Sequence, residues 1–244
     1  MVGDYRTRIY SAYLSGRRGK IAPQRLDGLA PRAPFLRKLI RKHFPPNADA
    51  AILDIGCGHG ALLHFARIEG YLNIRGVDGS PEQVQTAMTM GIGGVEQGDV
   101  METLAKLPDK SLDCVVSFDL IEHFNRNELL ALVDEVHRIL RPEGRWIIHT
   151  PNAESPFGMR MLYWDFTHEI AFTRTSIAQL LLSSGFSDVD CFEDTPVPHG
   201  ARSLARWVIW KCLRVFLRLY LAAETGNVDR NAVLSQNLLA VALK

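Results

Sequence analysis

Cysteine is scarce in this chain of 244 residues, and none of it is paired along the sequence. Cys57, Cys114, Cys191 and Cys212 lie far apart, without a CxxC pair. That spacing argues against a thiolate zinc site and against a disulfide framework, and it favours a reducing, cytoplasmic setting. No uncharged run reaches the roughly 18 residues that a spanning helix needs. The first ten residues carry Asp4, Arg6 and Arg8 with no apolar stretch, so they do not read as a secretory signal. There is no internal repeat and no low-complexity segment, which excludes a solenoid. What is left, 47% hydrophobic and 23% charged, suits one globular domain with a lid.

Charge of one sign is unevenly spread. Residues 1–50 hold 11 Lys and Arg against 3 Asp and Glu, and residues 202–221 hold five basic residues and no acid. The remainder is acidic, so the overall net of +1 hides an acidic body with two basic flanks. Such flanks are either solvated helix faces or surfaces for an anionic partner.

The centre of the chain alternates short apolar runs with helical spacing. Strands are expected at 51–55, 73–78, 94–97, 112–118, 145–150, 189–192 and 238–243. Helices are expected at 61–69, from Pro81 onward, at 128–140 and at 176–184. This alternation predicts an α/β, Rossmann-like, seven-stranded sheet with helices on both faces. Residues 1–50 are expected to form an N-terminal helical lid. The body is expected at 51–244, with an amphipathic helical insertion at 196–235 before the last strand. Ligands of such sheets bind beyond the carboxyl ends of the strands. That focuses attention on 54–60, Asp78, Asp99 and 118–123.

The segment Asp54-Ile55-Gly56-Cys57-Gly58-His59-Gly60 follows the first strand and opens a helix. Glycines there permit a tight turn and close approach of a ligand. Gly56, Gly58 and Ala61 also fit a dinucleotide fingerprint, with Asp78 at the distance of a ribose-binding acid. A nicotinamide oxidoreductase therefore stays open at this point. Asp54 tips the balance: a carboxylate inside the loop repels a pyrophosphate and suits a cationic amino-acid ligand. Gly98-Asp99, after the third strand, offers an acceptor to an adenine amino group.

With these motifs, and RPEGRWII leading into the fifth strand, residues 51–150 resemble a class I S-adenosylmethionine-dependent methyltransferase. The resemblance implies S-adenosyl-L-methionine as cofactor. It implies that Gly56, Gly58 and Gly60, with Cys57 between them, pack on the methionyl part, and that Asp54 orders water or the ammonium group. Asp78, with Gly79, would hold the ribose hydroxyls. Asp99, Val100 and Met101 would frame the adenine, and Phe118 would lie beside the sulfonium. Asp99 also suits the cap of the next helix.

Methyl transfer needs an aligned nucleophile and, for an alcohol, a place for its proton. Two segments supply candidates. Phe118 to His123 resembles the ubiquinone-pathway O-methyltransferases, where acids and a histidine at such positions can bind a divalent metal. Asp119, Glu122 and His123 are competent ligands, but helix capping is the favoured reading and no metal is expected. His123 also lies where the methyl group should emerge, as both a cofactor contact and a catalytic candidate. The second segment, Tyr163-Trp164-Asp165-Phe166-Thr167-His168-Glu169, sits in an unusually long connection. Its DFTHE pattern resembles methyltransferases of bacterial surface-polysaccharide clusters. Phe157, Tyr163, Trp164 and Phe166 could stack on a sugar. His168 is the expected general base, with Asp165 or Glu169 as its orienter. His149, inside the fifth strand, reads as a packed core residue. From the N-terminal segment, Tyr5, Arg6, Tyr10, Tyr13, Arg17 and Arg18 could close over the cofactor.

Residues 202–223 are dominated by Leu, Val, Ile, Trp, Phe and Tyr. On a helical wheel Leu204, Val208, Cys212, Val215 and Leu219 are expected on one face. Lys211, Arg214 and Arg218 are expected opposite, with Trp207 and Trp210 at the boundary. This suits peripheral contact of 202–221 with an anionic membrane, at the inner face of the cytoplasmic membrane. Packing on the chain's own domain or on a second copy, a homodimer, is the alternative, and no nucleic acid is expected.

The expected activity is O-methylation of a sugar hydroxyl in a bacterial polysaccharide or its lipid-linked precursor, so the acceptor is a small molecule or glycan. Alternatives are a polyprenyl phenol acceptor with a divalent metal, and a non-catalytic module that binds the cofactor at a membrane.

Overall fold

Strands β1 (Ile52–Ile55), β2 (Ile74–Asp78), β3 (Val95–Gln97), β4 (Leu112–Phe118), β5 (Leu140–Pro151), β6 (Asp188–Glu193) and β7 (Asn237–Leu243) form one sheet. Its order is β3-β2-β1-β4-β5-β7-β6. The structure, a computed structural model, describes residues 5–16, 22–229 and 231–244. Strands β1 to β5 pair in parallel, and β7 runs antiparallel between β5 and β6.

Side chains alternate across this sheet and build a core on each face. Leu53, Ile55, Val115, Trp146 and Ile148 point into one core, with α6 (Arg126–Ile139) and α8 (Arg174–Ser183). Ile52, Cys114, Val116 and Ile147 point into the other, with α2 (Ala33–His43), α3 (Ala61–Ile68) and α4 (Pro81–Thr89). The indole of Trp146, fully buried, donates to Ser117 Oγ at 3.0 Å, so its one polar atom is satisfied. Helix α6 begins at a capping box, in which Asn125 and Glu128 satisfy one another's backbone N–H groups.

Two boundaries differ from the sequence reading. Helix α2 buries Leu36, Leu39 and Ile40 against α3, because its apolar positions recur at helical spacing. It therefore covers the sheet as part of the body. The segment that reaches over the functional crevice is shorter, α1 (Tyr5–Ser11) and the turn after it. Strand β5 starts five residues earlier than its apolar run, at Leu140, which pairs with Leu112. Glu143, with φ of 64°, turns the chain there. The last two strands form an antiparallel pair, separated in sequence by α9 (Ala201–Thr225).

Candidate active site

The chain runs outward from β1 to β3, then returns to place β4 beside β1. The loops after β1 and β4 thus diverge and leave a crevice at the switch point. Gly56 and Cys57 donate backbone N–H groups to Val77 O at 2.8 and 3.1 Å, which closes the turn after β1. Gly56 has φ of 70°, and a Cβ there would stand 2.9 Å from Leu120 Cδ1. Only glycine lets the loops after β1 and β4 approach this closely. Asp78, at the end of β2, holds the turn from the other side. Its Oδ2 accepts from Gly58 N at 2.7 Å and its Oδ1 from Ser80 N at 2.8 Å. Burial pushes the Asp78 carboxyl up, and those two bonds pull it back down.

These loops wall a cavity of about 670 Å³. Of the expected cofactor residues, Asp54, Gly56, Cys57, Gly58, Asp78, Gly79, Asp99, Val100, Met101, Phe118 and His123 all line it. Gly60 does not. It caps α3 with φ of 76°, and a Cβ there would meet Val95 Cγ2 at 2.8 Å. Its positive φ and its close packing on Val95 and Ile92 require glycine there. Asp99 is placed for both expected roles. It lines the cavity and accepts from Glu102 N at 2.9 Å as the cap of α5 (Val100–Ala105).

Residues that sequence reasoning missed also line the cavity, among them Arg32, Leu36, Gln83, Leu120 and Phe124. Arg32 and Leu36 were hidden by the lid assignment of residues 1–50. Of the expected lid residues, Arg6, Tyr10 and Tyr13 line the cavity. Arg6 is bound to Glu128 at 2.8 Å, and Tyr5 donates to Glu169. Arg17 and Arg18 lie outside the described residues.

Asp54 carries the strongest signal for a ligand. It is buried, and among the described residues its Oδ1 has no hydrogen-bond partner. Burial, then the charge of Asp78, pushes its carboxyl well above the usual range, and Arg32 pulls the other way. A buried acceptor left unpaired is costly. An ammonium group would supply the donor and restore the charged form. The residues present therefore fit an amino-acid moiety at the β1 loop, with Arg32 at hand for its carboxylate.

The expected catalytic groups His123 and Asp165 come together through Thr167. Asp165 binds Thr167 twice. Its Oδ1 accepts from Thr167 N at 2.9 Å and from Thr167 Oγ1 at 2.8 Å. Thr167 Oγ1 in turn lies 2.8 Å from His123 Nδ1. The hydroxyl proton is given to Asp165, so Thr167 must accept from His123. The hydrogen of the neutral ring is thereby fixed on Nδ1, and Nε2 keeps the lone pair. His168 stands behind, with Nδ1 donating to Met161 O at 3.1 Å and Nε2 3.9 Å from Glu122 Oε1. His123 borders the cavity and His168 does not.

Burial, then the neighbouring His168, lowers His123 to about 3, so its ring is neutral across the physiological range. Burial, then the charge of Asp119, raises Glu122 to about 8. Thr150 Oγ1 donates to Glu122 Oε2 at 3.0 Å, while the buried Oε1 has no hydrogen-bond partner among the described residues.

Asp119 leaves the ligand set expected for a metal. It adopts φ of 49° at the end of β4, and its Oδ1 binds His149 Nδ1 at 2.7 Å. His149 is buried, as expected, but it is also ionic. Burial alone would lower it, yet Asp119 and Asp194 hold it up at about 10. Glu122, His123 and His168 bring their ligand atoms within 4.8 Å of one another. That trio, not Asp119 with Glu122 and His123, has the donor set for a divalent ion.

A glycine turn under an orphaned carboxylate, at the switch point of a sheet with an antiparallel β7, defines a Rossmann-like methyltransferase fold. The chain belongs to the methyltransferase domain family, whose model matches residues 29–190. A solved S-adenosylmethionine-dependent methyltransferase from Archaeoglobus fulgidus superposes with a TM-score of 0.66 at 22% identity, over 99% of this chain and all of that one. Phosphoethanolamine N-methyltransferase 2 of Haemonchus contortus, in complex with S-adenosyl-L-methionine, superposes with a TM-score of 0.58 at 17% identity, over 97% of this chain and 56% of that one. Among sequence relatives, a ubiquinone biosynthesis O-methyltransferase of Rickettsia bellii is 28% identical over 123 residues. The match covers 50% of this chain and 50% of that protein. A cyclopropane-fatty-acyl-phospholipid synthase of Escherichia coli is 33% identical over 116 residues, 46% of this chain and 29% of that one. The chain thus spans half the length, or less, of these relatives.

Proposed function

We propose that the chain transfers the methyl group of S-adenosyl-L-methionine to a sugar hydroxyl, in a polysaccharide or its lipid-linked precursor. The cofactor, when bound, supplies an activated methyl carbon on a sulfonium. Asp54 and Arg32 would hold its amino-acid end, Asp78 its ribose and Asp99 its adenine. Each oxygen of Asp78 spends one acceptor site on the backbone and keeps another for a hydroxyl.

The observation that carries the acceptor chemistry is the chain Asp165–Thr167–His123, which leaves a lone pair on the cavity-wall histidine. A ring held near 3 is a weak base toward a free alcohol. It is sufficient once the oxygen has begun to bond to the methyl carbon, because that oxygen then turns strongly acidic. His123 takes over the role first expected of His168, which acts behind it. Phe157, Tyr163, Trp164 and Phe166, on the long connection after β5, are all well exposed and offer ring faces for a sugar.

A second reading has its own observation. The trio Glu122, His123 and His168 could hold a divalent ion and serve a polyprenyl phenol, as the name of the Rickettsia relative invites. A labelled-methyl assay on glycan and polyprenyl phenol acceptors, with and without chelator, tests both. Transfer to sugar that survives chelation supports the first reading. Transfer to phenol alone, lost on chelation and restored by magnesium or zinc, overturns it. Cofactor binding with no transfer to any acceptor would leave a binding module.

A further inference from the structure

Helix α9 presents its apolar side to solvent. Ser203, Trp207, Trp210, Arg214, Leu217, Arg218, Leu221 and Ala222 are its buried or half-buried positions and gather on one side at helical spacing. Arg214 binds Glu193, at the end of β6, at 2.7 Å. The basic side of the helix thus includes a residue tied to the body, and Trp207 and Trp210 are half-buried on the same side. Outward point Leu204, Val208, Ile209, Phe216, Leu219 and Tyr220, between 47% and 70% exposed. A continuous apolar face of this kind marks an interaction surface. Arg202, Arg206 and Lys211 are exposed along the same helix, with Glu224 the one acid before its end.

The first basic flank approaches the segment that leads into α9. Arg37, Lys38, Arg41 and Lys42 of α2 line a groove with Val197, Pro198 and His199, which lead directly into α9. Glu69 pairs with Arg37 and Arg41 and offsets part of that charge. Leu36 on the same helix α2 lines the large cavity, so the basic groove and the cavity share one helix as a wall.

We propose that α9 lies in the headgroup layer of an anionic bilayer. Its apolar face enters the acyl boundary, while Arg202, Arg206 and Lys211, with Lys38 and Lys42 of α2, meet lipid phosphates. Among the described residues no helix is long and apolar enough to cross a membrane, and a helix with one apolar side and flanking cations lies in the interface instead. A second copy is the poorer occupant. Apposing two such faces would bring cations against cations along most of the helix, with Glu224 alone to offset them. Nucleic acid fits worse, because the exposed face is apolar.

The test is flotation of the full chain with phosphatidylcholine vesicles, with and without phosphatidylglycerol. The wild type is expected to float with the anionic vesicles, weakly with phosphatidylcholine alone, and less as salt is raised. Reversal of Arg202, Arg206 and Lys211 to Glu should lower partitioning at least about a hundredfold, since each cation removed is worth roughly fivefold and each Glu added repels the anionic surface. Ile209→Asp with Phe216→Asp should abolish flotation. Both side chains are exposed, so an unchanged melting temperature and unchanged S-adenosylhomocysteine affinity certify the fold. Flotation of these variants like wild type, equal binding to neutral vesicles, or no flotation of the wild type would each overturn the proposal. A wild-type dimer by light scattering that the Asp variant splits, without vesicle binding, would assign the face to a second copy instead.

Discussion

His123 and His168 meet edge to face with ring centroids 4.7 Å apart, and only His123 borders the cavity. The inner ring is shielded by the outer one, so the two histidines should respond differently to removal. His123→Ala should lower kcat by about 10² to 10⁴, the range for loss of a positioned proton acceptor. S-adenosylhomocysteine affinity should stay within a few-fold. His168→Ala should cost less, because it removes a neighbour of the acceptor and not the acceptor itself. Thr167→Val should fall between them, since it breaks the link that fixes the His123 tautomer. Steady-state kinetics on the three variants check the order. Equal losses at His123 and His168, abolished by chelator in the wild type, would favour the metal trio.

Asp54 predicts a proton count. Its carboxyl is held well above the usual range in the ligand-free protein, by burial and then by Asp78. An ammonium group bound at its unpartnered Oδ1 would favour the ionised form. Binding of S-adenosylhomocysteine should therefore release a proton, and affinity should rise with pH until the free carboxyl has ionised. Calorimetry in buffers of different ionisation enthalpy measures that proton directly. Asp54→Asn should remove the release and weaken binding by about 1.5–3 kcal/mol, the worth of a hydrogen bond to a charged group.

The sequence legibility of this molecule follows its periodicities. The central parallel strands were readable because β1 and β4 are covered on both faces, which leaves short, mostly apolar runs such as Leu112–Phe118. The cofactor-side residues were readable because a glycine turn and an acid after a strand are local features. The proton chain was not readable, because it joins His123 to Thr167 across 44 residues of sequence and no spacing rule reports such a contact. Helix α2 was misjudged as lid because its basic residues outweigh the three apolar ones that sink into the core. For α9 a helical wheel showed an apolar side and a basic side but could not say which one the body would claim. Glu193 decided that by pairing with Arg214.

Glu122 predicts a pH dependence of stability. Its carboxyl is raised from an ordinary value near 4.5 to about 8, by burial and then by Asp119. Between those values the folded chain keeps a proton that the unfolded chain has lost. Stability from this group is full below pH about 4.5 and falls as pH rises through about 8, with a slope of at most about 1.4 kcal/mol per pH unit. His123 acts in the opposite sense. Its ring is lowered from 6.5 to about 3, so its contribution is full above pH 6.5 and fades as pH falls toward 3. Glu122→Gln should flatten the alkaline loss and leave the acid limb in place. Urea unfolding at pH 5, 7 and 8.5 checks this, and an unchanged alkaline slope in the variant would refute the assignment to Glu122.

Gly60 separates packing from ligand binding. Alanine there must hold φ of 76°, which costs a non-glycine residue roughly 1–2 kcal/mol. Its Cβ must also share space with Val95 Cγ2 at 2.8 Å and Ile92 Cγ2 at 2.9 Å, overpacking worth about 1–3 kcal/mol more. For a chain of this length that sum lowers Tm by roughly 5–15 °C. Because Gly60 does not line the cavity, the folded fraction of Gly60→Ala should bind S-adenosylhomocysteine as the wild type does. Gly58→Ala should do the reverse. Its Cβ meets nothing closer than Gln83 at 3.7 Å, yet the residue lines the cavity, so affinity falls while Tm drops less. Thermal melts with calorimetry on both variants give the comparison. A loss of affinity in Gly60→Ala larger than in Gly58→Ala would return Gly60 to the ligand.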